Sequence, residues 1–341
     1  MIPYSRLWLA SAALALSGCA SFDIGQSIDR TNQATAGFTQ GKLRLALDQK
    51  QKTAMESAAT ALLNQPLSQA DAVHLALLNS PAIQAMLAQH WADAASAAQS
   101  GRIANPVFAF ERSRLIDEVE IGRMLSFGLL DLLTLPQRQA MAGQRIEMAQ
   151  LQIAMDVIDQ VTQVRQAWVR AVAAQQSLQY ARQVSDAAEA GAELAARMQK
   201  AGNFSKLQKE RQQAFYADAM AQAVAAEYAA SSAREALIRL LGLSDAQVQS
   251  LKLPEHFPDL PTVPRSAEEI ATMANKDRLD IRLAQAEFEA SARAQGLKQI
   301  TSLTDIELGV RRNTVFDNAS GGSAIKRGVE ISLKLPVFDW G

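Results

Sequence analysis

Hydrophobic positions recur along this chain with two different periods, and the places where the period changes divide it into elements. From Ser68 to about Ser100 the apolar residues Val73, Ala76, Leu77, Ile83, Leu87 and Trp91 fall at helical spacing. Ser68-Gln69-Ala70-Asp71 opens this helix like a capping box, with Asp in place of the usual Glu or Gln. Pro81 lies inside it and predicts a break near Asn79-Ser80, because proline offers no N–H to the preceding turn. Past Asn105-Pro106 the period drops to two. Val107 to Arg114 has strand character, and in Val119 to Leu130 the residues Val119, Ile121, Leu125, Phe127 and Leu129 share one face. Glu118, Glu120, Gly122, Ser126 and Gly128 share the other, while Arg123 and Met124 fit the alternation poorly.

The helical period returns at Pro136, a residue suited to a first helical position, and no proline follows until Pro254. Two long helices are expected, about Pro136 to Lys200 and Ser205 to Leu241. Val157, Val161, Val164, Trp168 and Val172 step by four and three, the seam of a coiled coil. A rod of this length would reach roughly 96 Å at about 1.5 Å per residue. Ala201-Gly202-Asn203-Phe204-Ser205 interrupts it, with Gly202 and Asn203 suited to a left-handed helix end and Ser205 to Gln208 a capping box for the return helix. Gly242 ends that helix by the same logic.

Four prolines between Leu253 and Pro264 form an extended connector, after which the pattern restarts. Ser266-Ala267-Glu268-Glu269 opens a helix through about Ile300. A shift of 198 positions brings Ser68 onto Ser266, Ala76 onto Ala274 and Ile83 onto Ile281. Two strands follow: Ile306, Leu308 and Val310 alternate with Asp305, Glu307, Gly309 and Arg311, and Val329, Ile331, Leu333 and Leu335 alternate with Glu330, Ser332 and Lys334. Asp317 to Ser323 is the loop between them. The organisation expected is therefore a leader at 1–18, an N-terminal arm at 19–66, a first repeat at 67–252 (helix, β-hairpin, long helical hairpin), the connector at 253–265, and a second repeat at 266–341 that stops at Asp339-Trp340-Gly341, where its own helical hairpin should begin. In the arm, Lys42 to Leu47 and Met55 to Leu63 are each expected as a short helix.

The leader changes the picture. Arg6, the apolar run Leu7 to Leu16, and Ser17-Gly18-Cys19 are the parts of a secretory signal, too short to span a bilayer permanently. Leu16-Ser17-Gly18-Cys19 resembles a bacterial lipobox, which makes Cys19 the lipidation site and the start of the mature chain, carrying palmitate or a related acyl group. Cys19 is the one cysteine, so no intrachain disulfide is possible. Ala20 lacks the Asp that would favour inner-membrane retention in lipoproteins, which implies the outer membrane. Charge adds only an exclusion: 34 Lys and Arg balance 35 Asp and Glu, without the basic stripe of a nucleic-acid-binding protein.

Arg278-Leu279-Asp280-Ile281, Leu335-Pro336-Val337-Phe338-Asp339-Trp340-Gly341 and Gly202-Asn203-Phe204, in this order behind a lipobox, resemble the TolC-like outer-membrane efflux family over about Leu67 to Gly341. Leu279 stands where proline is typical of that family. The resemblance implies a mainly α fold with long coiled-coil hairpins and two β-hairpins contributing to a shared trimeric outer-membrane β-barrel. It implies a channel component of a tripartite pump, working with a periplasmic adaptor and an inner-membrane pump, and a hairpin tip (Ala201, Gly202, Asn203, Phe204 and Ser205) that meets the adaptor. Independently, a membrane strand cannot leave its edge unpaired in lipid, and four strands cannot close a barrel alone, so oligomerisation is expected; the homotrimer that the resemblance implies would supply twelve. The missing second hairpin is expected to mark a fragment or a truncated product, unable to complete a duct alone.

No enzymatic activity and no cofactor are expected: the sequence holds no phosphate-binding glycine loop, zinc spacing or nucleophile motif. Met141, Met148 and Met155 stack seven apart on one helix face and could bind a soft cation, although Met also fills helix seams. His74, His90 and His256 lack ligand spacing. The competing functional readings are a lipid-anchored periplasmic scaffold and a non-functional truncated copy. The scaffold has no need of four strands with a lipid-compatible face.

Overall fold

The computed structural model of the chain describes residues 23–39, 41–259, 266–301 and 305–334. The leader, Cys19, the part of the connector at 260–265 and the Leu335–Gly341 motif lie outside the described residues. The chain forms two compact units. Of the described residues, those within Met1–Ile24, His90–Leu151 and Leu279–Gly341 form one, and those within Gly25–Gln89 and Gln152–Arg278 the other.

The elements run α1 (Ile24–Thr35), α2 (Gln49–Leu62), α3 (Gln69–Asn79), α4 (Pro81–Ser100), β1 (Val107–Leu115), β2 (Glu118–Gly128), α5 (Leu129–Leu133) and α6 (Leu135–Lys200), then α7 (Lys206–Leu241), α8 (Asp245–Ser250), α9 (Ala267–Asp277), α10 (Leu279–Thr301), β3 (Asp305–Asp317) and β4 (Gly322–Lys334). The break expected at Asn79-Ser80 separates α3 from α4. Its counterpart 198 positions on, Arg278, separates α9 from α10 although no proline stands there. The break thus belongs to the repeat rather than to Pro81.

In the helical unit the seam residues Val157, Val161, Val164, Trp168 and Val172 of α6 are all buried. Trp168 Nε1 donates to the Leu67 carbonyl at 2.8 Å, and its ring meets Phe257 edge-on at 6.0 Å. The Leu67 N–H donates in turn to the Lys252 carbonyl at 2.8 Å, and Arg234 donates to the Leu251 carbonyl at 2.9 Å. Segments far apart in sequence are thereby tied to α6 and α7 through backbone groups that would otherwise be left unpaired in the interior.

The N-terminal arm departs from expectation. Lys42 to Leu47 is not helical, and α1 was not foreseen. The reason lies in where the backbone groups of the arm find partners. Asn32 accepts from the Leu43 N–H at 2.8 Å and donates to the Leu43 carbonyl at 3.2 Å. Gln84 donates to the Arg44 carbonyl at 2.9 Å. Two side-chain amides from neighbouring helices take the place of helical hydrogen bonds, and Leu43 is buried as a result.

In the sheet unit the four strands form one antiparallel sheet in the order β1-β2-β3-β4. The two expected hairpins are joined by pairing of β2 with β3, Glu118 opposite Asp317 through Gly128 opposite Glu307. Strand β2 ends at Gly128; Leu129 and Leu130, expected at the end of the strand, begin α5. Arg138 secures the approach to α6. It pairs with Asp131 at 2.7 Å and donates to the carbonyls of Ser100 at 3.1 Å and Arg102 at 2.7 Å, capping the end of α4 with a cation where its carbonyls are exposed.

Candidate functional site

The register of the sheet sorts its side chains onto two chemically different faces. Rows run across the strands: Phe108–Leu125–Val310–Val329, and beside it Phe127–Leu308–Ile331. Most of these side chains are exposed, Phe108 at 65% and Val329 at 71%. So much apolar surface on a sheet face calls for an apolar environment.

The opposite face is polar and internally paired. Arg311 reaches Glu111 at 3.4 Å and Glu330 at 3.9 Å; Lys326 reaches Glu120 at 3.9 Å; and Asn313 donates to Glu120. Glycines open the same face. A Cβ on Gly122 would meet Asn313 and Glu111, both 3.5 Å away. Both outer edges of the sheet, the free sides of β1 and β4, have no strand partner among the described residues.

Sequence reasoning found Arg123 misplaced in its alternation but missed what surrounds it. The register sets Arg123 opposite Arg312 and Arg312 opposite Arg327, a row of three guanidinium groups on the mainly apolar face. The signal was present in the strand parity, since Arg312 shares parity with Val310 and Arg327 with Val329.

At the strand tips, Ile116 and Asp117 turn β1 into β2, with Ile116 at φ 47°. Asp317 holds the other turn, its carboxylate accepting from the N–H groups of Ala319 at 2.8 Å and Ser320 at 3.3 Å.

The helical hairpin turns where expected. Gly202 is left-handed at φ 82°. The Asn203 N–H donates to the Met198 carbonyl at 2.9 Å, and Ser205 and Gln208 form the reciprocal capping box. Ala201, Gly202, Asn203 and Ser205 are exposed, whereas Phe204 is half-buried. Along the half of the hairpin nearest this turn, burial falls on alanines, Ala188, Ala192, Ala195 and Ala219. Tyr180, Leu194, Phe215, Val224 and Tyr228 are exposed.

Of the other candidates, Met141, Met148 and Met155 are each half-buried along α6. His74 and His90 are half-buried and His256 is exposed. Among the described residues no group of three or more His, Cys, Asp or Glu could hold a metal ion, and no helix is long and apolar enough to cross a membrane.

A four-stranded sheet with a long helical hairpin is a fold this chain shares with solved outer-membrane proteins. A membrane protein from Pseudomonas aeruginosa superimposes with a TM-score of 0.63 at 21% identity, over 83% of this chain and 68% of that one. CusC, studied for folding and transmembrane channel formation, gives 0.57 at 17% identity over 88% and 71%. The outer-membrane protein VceC from Vibrio cholerae gives 0.57 at 15% identity over 83% and 69%. No protein-family model matches the sequence, and no curated protein does.

Proposed function

We propose that the chain is one protomer of a homotrimeric outer-membrane channel, lipid-anchored at Cys19, which passively conducts solutes exported from the periplasm to the exterior. The observation that carries this is the sheet: one apolar exposed face, one polar ion-paired face, and two unpaired edges. Lipid outside and water inside satisfy the two faces. Edge pairing between protomers satisfies the backbone, which in hydrocarbon has no water to bond. The exposed apolar side chains of the hairpin add a second reason for neighbours, because a two-helix rod held by alanines leaves them uncovered.

In this reading the tip from Ala201 to Ser205 meets a periplasmic adaptor, which links the channel to an inner-membrane pump in a tripartite assembly. The channel performs no chemistry; its walls pass what the pump delivers. Planar-bilayer recording of the full-length form, with a second helical hairpin, tests the reading. Stepwise conductance of one trimer-sized unit is expected. A protein that stays monomeric and conducts nothing would instead favour the periplasmic scaffold. Crosslinking to the adaptor tests the tip: Gly202→Asp with Phe204→Asp should abolish it and leave membrane insertion intact.

A further inference from the structure

The apolar face carries five arginines and no carboxylate. Arg123, Arg312 and Arg327 form one row. The next two rows toward the strand tips add Arg112, opposite Ile121, and Arg114, opposite Val119. All five are exposed. Every acidic residue of the four strands has the opposite parity and faces the polar side. Arg123 has one polar contact, with Thr314 Oγ1 at 3.4 Å; no ion pair involves any of the five among the described residues.

Like charges directly opposite on a sheet, with Cβ atoms about 5 Å apart, repel one another and destabilise it. An arginine on a lipid-facing barrel surface costs a further 2–4 kcal/mol or so near the midplane and little at the interface. An anion meeting the row would offset that repulsion. A second copy of this chain cannot supply that anion, because the same face of its strands has no carboxylate either.

Position narrows the choice. On this face the rows of Ile306, Leu308 and Val310 carry no charge; Arg123, Arg312 and Arg327 follow near the middle of their strands, and Arg112 and Arg114 lie nearer the turns at Ile116-Asp117 and Asn318 to Gly321. From Arg312 to Asp317 the strand climbs roughly 17 Å, or about 13 Å along the membrane normal at a tilt near 40°. In the channel reading the turns stand outside the bilayer, so side chains this far below them reach the outer leaflet's headgroups by snorkelling outward.

We propose that Arg123, Arg312 and Arg327, with Arg112 and Arg114 beyond them, form a binding strip for phosphorylated headgroups of outer-leaflet lipid. Guanidinium groups suit this ligand because their paired N–H donors match two phosphate oxygens. The strip rests on the channel reading, since it requires the apolar face to lie in a membrane.

The test reconstitutes the full chain into phosphatidylcholine vesicles with and without a bisphosphorylated glucosamine lipid. Re-extracted protein is then assayed for retained lipid by mass spectrometry. Relative to R123Q/R312Q/R327Q, the wild type should retain roughly tenfold more of the phosphorylated lipid, and R123K/R312K/R327K should fall between them. Wild type and variants should insert equally into phosphatidylcholine alone, as judged by protease protection. Equal retention by wild type and the glutamine variant would overturn the strip while leaving the channel reading intact. Displacement of the lipid by millimolar inorganic phosphate would also overturn it, in favour of a free-anion site. Failure of every form to insert into phosphatidylcholine would overturn the channel reading and the strip together.

Discussion

Asn79 and Gly242 stand 163 positions apart, and the Asn79 side-chain amide donates to the Gly242 carbonyl at 2.8 Å. The same amide reaches the Leu241 carbonyl at 3.2 Å, so the break between α3 and α4 caps the end of α7. Gly242 is left-handed at φ 65°, and a Cβ there would lie 2.4 Å from Pro81 Cδ and 2.9 Å from Ser80 Cα. Gly242→Ala therefore meets two penalties, a left-handed conformation costing about 1–2 kcal/mol and overpacking of about 1–3 kcal/mol. A loss of roughly 2–5 kcal/mol in denaturant unfolding is expected. Gly202→Ala should cost only the conformational part, because nothing lies within 4 Å of its Cβ position. Equal losses at the two glycines would show that the break does not seat on Gly242.

Trp168 offers a similar separation of effects. Its ring is buried, and its Nε1 holds the Leu67 carbonyl at the start of the first repeat. Trp168→Phe keeps an aromatic ring against Phe257 but leaves the Leu67 carbonyl short of a donor. A cost of about 1–3 kcal/mol is expected from the unmet polar group alone. Trp168→Ala should cost about 3–5 kcal/mol, as for other buried aromatics. If Phe proved neutral, the hydrogen bond would have no part in holding the segment.

Ile116 predicts the opposite sign. A β-branched residue at φ 47° is strained, and its side chain is 82% exposed, so little packing is lost on replacing it. Asn tolerates the left-handed region. Ile116→Asn should therefore stabilise the β1–β2 turn by roughly 1 kcal/mol. A higher unfolding temperature is the expected readout, and a lower one would mean that Ile116 is held by contacts outside the protomer.

These elements show how far the sequence could be read. Periodicity located the strands, the long helices and both glycine-terminated helix ends, because those features are local. It could not show that β2 pairs with β3, a contact between residues such as Arg123 and Arg312 on different repeats. For that reason the arginine row went unrecognised: each member is an isolated misfit in its own strand and becomes a pattern only once the register aligns them. Lys42 to Leu47 failed for a related reason. Its apolar period is helical, but Asn32 and Gln84 bind its backbone first. The tip from Ala201 to Ser205 was legible as a turn from its glycine and capping box, whereas its partner is chemistry that another molecule must supply.

The polar face of the sheet carries a charge imbalance that, under the proposed channel function, should be visible electrically. Glu111, Glu118, Glu120, Glu307, Asp317 and Glu330 share that face with Arg311 and Lys326. Arg311 and Lys326 are already engaged, Arg311 with Glu111 and Glu330 and Lys326 with Glu120, and Asp305 and Lys334 stand opposite each other and cancel in charge. Any solute passing along this face meets a net negative wall. A lumen lined by one sign of charge concentrates counter-ions, and the effect fades as the Debye length shrinks from about 10 Å at 0.1 M salt to about 3 Å at 1 M. The reconstituted channel should therefore prefer cations, giving a reversal potential of cation-selective sign across a salt gradient at low ionic strength. The preference should weaken in molar salt. Glu120→Gln with Glu330→Gln should reduce it, and Arg311→Gln should strengthen it by releasing two carboxylates. The arginines of the other face should not contribute, so R123Q/R312Q/R327Q should leave the reversal potential unchanged. A shift in that variant would place the arginines in the lumen and reverse the assignment of the two faces.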